Sequence, residues 1–232
     1  MLGFLKFGKG AQGANLNMPL KDARFVVLDT ELTGLDEKRD SIVSIGAIRI
    51  TNGRIDLGET FYKMAKPGSE LTRDSVVIHG ITPSDVSGQP ALEEVLMEFF
   101  RFCGGDTLVG HCLSIDLAFL NRHYKKALGS PLANPAVDSY MVHEWLAGRV
   151  PAYQESMGPC KKPDLYELAG RLGVLTRGAH NAEMDAFVTA QLFQRYIPIL
   201  AEAGVTTVGE LVRLADPFKG GDRFRTASQM QL

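Results

Sequence analysis

Three short stretches carry residues whose types and spacing could do chemistry. The first, Asp29-Thr30-Glu31-Leu32-Thr33-Gly34, ends an apolar run over residues 24–28. In extended backbone, residues two apart share a face, so Asp29 and Glu31 would present their carboxylates together. Two neighbouring anions repel unless a cation sits between them or water surrounds them. The second is Gly110-His111-Cys112-Leu113-Ser114-Ile115-Asp116-Leu117, with Asp116 alone among apolar residues. The third, His180-Asn181-Ala182-Glu183-Met184-Asp185, opens a long apolar helical pattern with Asn181 as N-cap. Each stretch by itself has a structural explanation. Asp29 and Glu31 suit a solvated strand end, Asp116 and Asp185 suit the first turn of a helix, where the macrodipole favours negative charge, and His180 suits a loop.

The elements that must position these residues follow from periodicity. Apolar, β-favouring runs at 24–28, 41–50 and 60–64, the last two separated by the Asn52-Gly53 turn signal, predict three neighbouring, largely antiparallel strands. Leu92, Val95, Leu96, Phe99 and Phe100 have helical spacing, and Gly104-Gly105 ends that helix. A short strand is expected at 107–110, a helix at 114–128, a strand at 136–137 and a helix at 139–147. A long loop follows at 149–163, on Pro151, Gly158, Pro159 and Pro163. Helices at 164–172, 181–200 and 207–214 complete the pattern, with Asp138 as an N-cap. Three strands followed by alternating helices and strands predict an α/β fold: a mixed central sheet, three antiparallel strands then two parallel, with helices on both faces. The expected organisation is a flexible N-terminal arm at 1–22, one domain at 23–200, and a short helix and tail at 201–232.

A chain of 232 residues is long enough to bury one sizeable core. No apolar run can cross a bilayer, and the opening residues, broken by Lys6 and Lys9, lack the continuous apolar stretch of a secretory signal, so the expected location is cytoplasmic. Cys103, Cys112 and Cys160 are odd in number with no CxxC spacing, which argues against a disulfide framework or a zinc knuckle. A formal net charge of −2 restricts any nucleic-acid contact to local basic patches, such as Arg122 with Lys125 and Lys126. His79, expected in a loop before a helix, and His111, His123 and His143 are first read as structural residues.

Taken together, the three stretches resemble the DEDD exonuclease superfamily in its histidine branch, the DnaQ-like proofreading group. Asp29-x-Glu31-x-Thr33-Gly34 matches the first motif, Gly110-His111 through Asp116 to Leu120 the second, and His180-x-Ala182-x-x-Asp185 the third. Supporting likeness occurs at Ile78-His79-Gly80-Ile81-Thr82 and at Val137-Asp138, so the resemblance spans roughly residues 24–197. It implies a ribonuclease H-like fold and a 3′→5′ exonuclease that hydrolyses the terminal phosphodiester of a DNA strand, single-stranded or frayed, and releases nucleoside 5′-monophosphates. It implies two Mg²⁺ ions, replaceable by Mn²⁺, about 3.5–4 Å apart: Asp29 bridging both, Glu31 and Asp185 completing one site, Asp116 holding the second through water, and His180 as general base. All-oxygen ligation fits these hard cations better than zinc. Leu32, Thr33 and His79 are the expected substrate contacts, and a DNA polymerase subunit is an admissible partner.

Two positions depart from the family pattern. Cys112 stands where asparagine is usual and Ile115 where phenylalanine is usual, so an amide and an aromatic face that would grip the terminal nucleotide are missing. Two rival readings differ in substrate or in class: an exonuclease trimming RNA or oligoribonucleotides, and a non-catalytic module binding nucleic acid or a polymerase.

Overall fold

The computed structural model describes residues 14–159, 162–174, 176 and 180–219. After a 3-10 turn at Leu20–Asp22, the strands are β1 (Arg24–Leu32), β2 (Ile42–Thr51), β3 (Arg54–Met64), β4 (Thr107–Gly110) and β5 (Ala136–Asp138). The helices are α1 (Arg73–His79), α2 (Pro83–Val86), α3 (Leu92–Cys103), α4 (Ser114–Leu128), α5 (Ser139–Ala147), α6 (Pro151–Met157), α7 (Leu165–Arg171), α8 (Ala182–Glu202) and α9 (Val208–Leu214). The sheet order is β3-β2-β1-β4-β5. β1 and β3 pair antiparallel with β2, whereas β4 pairs parallel with β1 and β5 parallel with β4. This is the mixed α/β sheet that the element order predicts, three antiparallel strands then two parallel, and the ribonuclease H-like fold that the resemblance implies.

β1 is the central strand and is apolar on both faces. Phe25 and Val27 face a core built with α5 to α9, where Phe25 meets Phe193 of α8 edge-on at 5.0 Å between ring centroids. Val26 and Leu28 face a second core with α3 and α4, containing Phe99, Phe119 and Tyr124. Burying each such side chain contributes about 1.5–3 kcal/mol, so the strand that ends in Asp29 and Glu31 is clamped from both sides. The hairpin joining β2 and β3 turns through Asn52 (φ 53°) and Gly53 (φ 72°), the left-handed pair that a two-residue turn demands. Among the described residues, no helix is long and apolar enough to cross a membrane.

Four expectations are corrected. The flexible arm extended through residue 22, but residues 14–22 include a segment tied to the chain's far end: Leu20 N–H donates to Thr206 O, and Gly209 N–H donates to Leu16 O. Leu20 is buried there; residues 1–13 lie outside the described residues. The proline-rich stretch at 149–163 is not all loop, because Pro151 sits at the start of α6, where its missing N–H costs no hydrogen bond, and Tyr153 and Met157 anchor that helix in the core. β3 begins at Arg54 rather than 60, extended by its pairing with β2 around a bulge at Ile48/Arg49. His79, placed in a loop from sequence, is the last residue of α1.

Candidate active site

The C-terminal ends of β1 and β4 meet the N-terminal ends of α4 and α8, and this is where the motif residues gather. Asp29 and Glu31 lie on the β1 face that looks toward α8, opposite Gly46 and Ser44 of β2. α8 can reach them because Gly46 has no side chain. A Cβ there would fall 2.2 Å from the backbone of Ala182 and 2.4 Å from Glu183 N, so only glycine lets the first turn of α8 lie against the sheet. Asn181 caps that turn, accepting from Glu183 N (3.0 Å) and Met184 N (3.3 Å). His180 precedes it at φ 60°, a left-handed bend that sends the chain into the helix.

As a result Asp29, Glu31 and Asp185 offer ligand oxygens within 4.8 Å of one another, although 154 residues separate Glu31 from Asp185 along the chain. Asp116 approaches from the other side, on the first turn of α4, and its Oδ1 accepts from Thr30 Oγ1 at 2.6 Å. The turn into α4 passes through Cys112 at φ 55°. That backbone region suits asparagine better than cysteine, so the residue departing from the family pattern also carries local strain. Asp138 holds the turn from below, accepting from Cys112 N (3.2 Å) and Tyr140 N (2.9 Å). His111 packs behind it, with Nδ1 3.0 Å from Ser139 Oγ.

Burial and mutual repulsion set the electrostatics of the cluster. Burial, reinforced by Asp116, Glu31 and Asp185, raises the Asp29 carboxyl well above the usual range. Burial, then the charges of Asp185 and Asp116, push Glu31 up to about 8. Burial raises Asp116 to about 7, opposed by the Thr30 hydroxyl. Asp185 is also raised by burial, offset by the Tyr166 hydroxyl and then by His180. Among the described residues, none of these four acids is ion-paired with lysine or arginine. Crowded, desolvated carboxylates not paired with lysine or arginine form the donor set that a hard divalent cation satisfies.

The expected substrate contacts lie along the neighbouring rim. Leu32 is partly exposed. Thr33 is fully buried, and its hydroxyl meets Ser69 Oγ (2.8 Å) and Asp40 Oδ1 (3.1 Å) and accepts from Ser41 N (3.0 Å), so it braces the loop. Thr72 Oγ1, at the start of α1, donates to Thr33 O at 3.3 Å. His79 is buried, its Nδ1 accepts from Ile81 N at 3.0 Å, and burial lowers its pKa. His143 is a core residue bonded to Tyr153 through Nδ1 at 2.8 Å.

Sequence reasoning missed Thr30, Gly46 and Tyr166. Tyr166, on the first turn of α7, donates its hydroxyl to Asp185 Oδ1, and its ring lies 6.4 Å from that of His180. None had a local signal. An alternating strand pattern marks Thr30 only as facing away from Asp29, Gly46 meets a helix far along the chain, and Tyr166 meets its partner only once α7 packs beside α8.

Comparisons with known proteins bear on the family and the fold. The signature of the exonuclease family RNase_T ("Exonuclease") matches residues 26–193. A DNA polymerase III subunit epsilon of Aquifex aeolicus is 35% identical over 183 residues, covering 79% of this chain and 83% of that protein. A DNA polymerase III subunit epsilon-like protein of Rhodobacter capsulatus is 35% identical over 208 residues, 88% of this chain but 28% of its own length. A PolC-type DNA polymerase III of Thermotoga maritima is 34% identical over 195 residues, 84% of this chain and 13% of its own. The chain thus spans under a third of those two longer relatives. Among solved structures, E. coli exonuclease I in complex with a dT13 oligonucleotide superposes with TM-score 0.67 at 18% identity, over 78% of this chain and 43% of that one. Exonuclease X in complex with 5′ overhanging duplex DNA superposes with TM-score 0.58 at 22% identity, over 83% and 98%. Those likenesses carry the fold, and the sequence match carries the family: this chain belongs to the DEDD exonucleases, in their DnaQ-like group.

Proposed function

We propose that this protein is a 3′→5′ exonuclease that uses two Mg²⁺ ions to hydrolyse the terminal phosphodiester of a DNA strand and release nucleoside 5′-monophosphates. The observation that carries this reading is the meeting of Asp29, Glu31 and Asp185 within 4.8 Å, with Asp116 joined to the same strand through Thr30. Asp29, Glu31 and Asp185 would hold one cation, and Asp29 with Asp116 the other. When bound, such cations neutralise charge on the attacked phosphoryl group and on the entering and leaving oxygens.

The chain's own residues supply the rest. His180, exposed at the mouth of the cluster, accepts a proton from the attacking water at an imidazole nitrogen, a task suited to histidine near neutral pH. The bond from phosphorus to the 3′ oxygen of the penultimate nucleotide breaks, and that oxygen takes a proton from solvent. Leu32, partly exposed at the end of β1, would touch the last nucleotide, while buried Thr33 and His79 would stiffen that edge. DNA as substrate and a polymerase as partner draw support from the relatives, whose names are those of DNA polymerase III subunits.

Direction, substrate and metal need are tested together with end-labelled DNA and RNA oligomers, with and without Mg²⁺. The expected result with DNA is a ladder from the 5′-labelled strand and immediate release of labelled mononucleotide from the 3′-labelled strand, only with Mg²⁺. Faster release from RNA would reassign the substrate; shortening from the 5′ end, or hydrolysis without metal, would overturn the reading.

A further inference from the structure

We propose that Tyr166 is a positioning residue for the carboxylate cluster: its hydroxyl, donated to Asp185, fixes the rotation of that carboxylate toward Asp29 and Glu31 and so sets the cluster's affinity for a divalent cation. This rests on the exonuclease reading above.

Asp185 needs such a constraint. Its nearest charged neighbours in the cluster are anions, which push it away, and it takes part in no ion pair with lysine or arginine among the described residues. The free N–H groups at the start of α8, which could otherwise draw the carboxylate back, are partly taken by the Asn181 side chain, bonded to Glu183 N and Met184 N. Beside the backbone N–H groups of His180 and Asn181, Tyr166 supplies the side-chain donor. A phenol suits the place because it is neutral: it orients the carboxylate without cancelling the charge that a dication would use, as a lysine would.

Tyr166 is itself held firmly. Asp164 caps α7 by accepting from Glu167 N at 2.7 Å, and Leu165 and Leu168, on either side of Tyr166, are buried. Arg171 at the other end of α7 donates to Met157 O of α6 and to Glu167 at 2.6 Å. The same tyrosine ring flanks His180 at 6.4 Å with 57° between the ring planes. One side chain thus touches a proposed cation ligand with its hydroxyl and borders the proposed base with its ring. Two substitutions separate these roles: Tyr166→Phe removes only the oxygen, whereas Tyr166→Leu also removes the ring.

The test is direct binding of Mn²⁺, followed by electron paramagnetic resonance of the free ion, to the full chain as wild type, Y166F, Y166L and Asp185→Asn. Circular dichroism checks that each is folded. Outer hydrogen-bond partners of metal ligands are worth about 10- to 100-fold in affinity, so Y166F is expected to bind Mn²⁺ more weakly by that factor, with Y166L no tighter. Turnover of Y166F should recover to near the wild-type rate once Mn²⁺ is saturating, while Y166L should stay slow because His180 has lost its flanking ring. Y166F binding Mn²⁺ as tightly as wild type, while D185N binds more weakly, would overturn the role of Tyr166 and leave the metal site intact. Wild type and D185N both failing to bind Mn²⁺ would remove the cation site itself.

Discussion

The two ends of β1 handle buried charge in opposite ways. At the N-terminal end, Arg49 is buried, yet its guanidinium is bonded to Asp106 and to Phe102 O (2.7 Å), lies 3.4 Å from Glu59, and covers the Phe102 ring at 4.7 Å. Arg24 adds a second cation 3.3 Å from Asp106. At the C-terminal end, Asp29, Glu31, Asp116 and Asp185 converge with no lysine or arginine partner among the described residues. The first end is electrically closed and acts as a staple between β2, α3 and the start of β4. The second is left open, its neighbours raising one another's pKa. A fold that can balance charge at one end and leaves it unbalanced at the other marks the open end as the place for an external cation.

The strongest way to break this contrast is to neutralise one group at each end. Asp29→Asn should lower nuclease activity by more than the roughly 10⁴-fold that bounds the loss of a general base, while raising the melting temperature of the metal-free protein. Arg49→Met should lower stability and spare activity. Breaking a buried pair costs about 3–5 kcal/mol, so this variant should melt earlier while its folded fraction keeps normal turnover. Calorimetry and a nuclease assay on both variants decide the matter, and a destabilised Asp29→Asn protein would end the comparison.

A smaller effect is expected at His180, which stands at the open end without being one of its acids. His180→Ala should slow turnover by about 10²- to 10⁴-fold, with the melting temperature and its rise on adding Mg²⁺ unchanged. If that rise disappears, the imidazole belongs to the cation site and not to proton transfer.

The smallest effect is pH dependence. Glu31, raised from 4.5 to about 8, and Asp116, raised from 3.8 to about 7, keep protons in the folded chain that the unfolded chain has already released. Their contribution to stability is full below pH about 4 and is lost as pH rises through the folded values. His111 and His143, both lowered by burial to about 4, act oppositely below about pH 6.5 and are flat above it. Between about pH 6.5 and 8 the metal-free protein should therefore lose stability, on the order of 2–4 °C in melting temperature for each kcal/mol. Saturating Mg²⁺ should flatten that slope, because the cation favours the ionised acids. A slope that persists in Mg²⁺ would detach these acids from cation binding.

The contrast also separates what was legible in the sequence from what was not. The resemblance of three short motifs to a known family singled out Asp29, Glu31, Asp116, His180 and Asp185, and such motifs are legible because each lies within a few consecutive residues. The order of three antiparallel strands followed by parallel ones was legible for the same reason: a short Asn52-Gly53 turn forces a hairpin, and an intervening helix forces a crossover. Asn181 and Asp138 as caps were readable from residue type at a predicted helix start. Other features came only with tertiary structure. Gly46 looks like any strand glycine until α8 lies across it, Tyr166 like a surface tyrosine until α7 turns it onto Asp185, and Arg49 like a solvated strand residue until Phe102 and Asp106 enclose it. Residues 14–22 read as an arm because their low periodicity hides the pairing with residues 206–209. Local chemistry writes periodicity, caps and turns into consecutive residues, whereas a close approach, a shared proton or a buried ion pair depends on segments that are not neighbours in sequence, and only packing decides which of them meet.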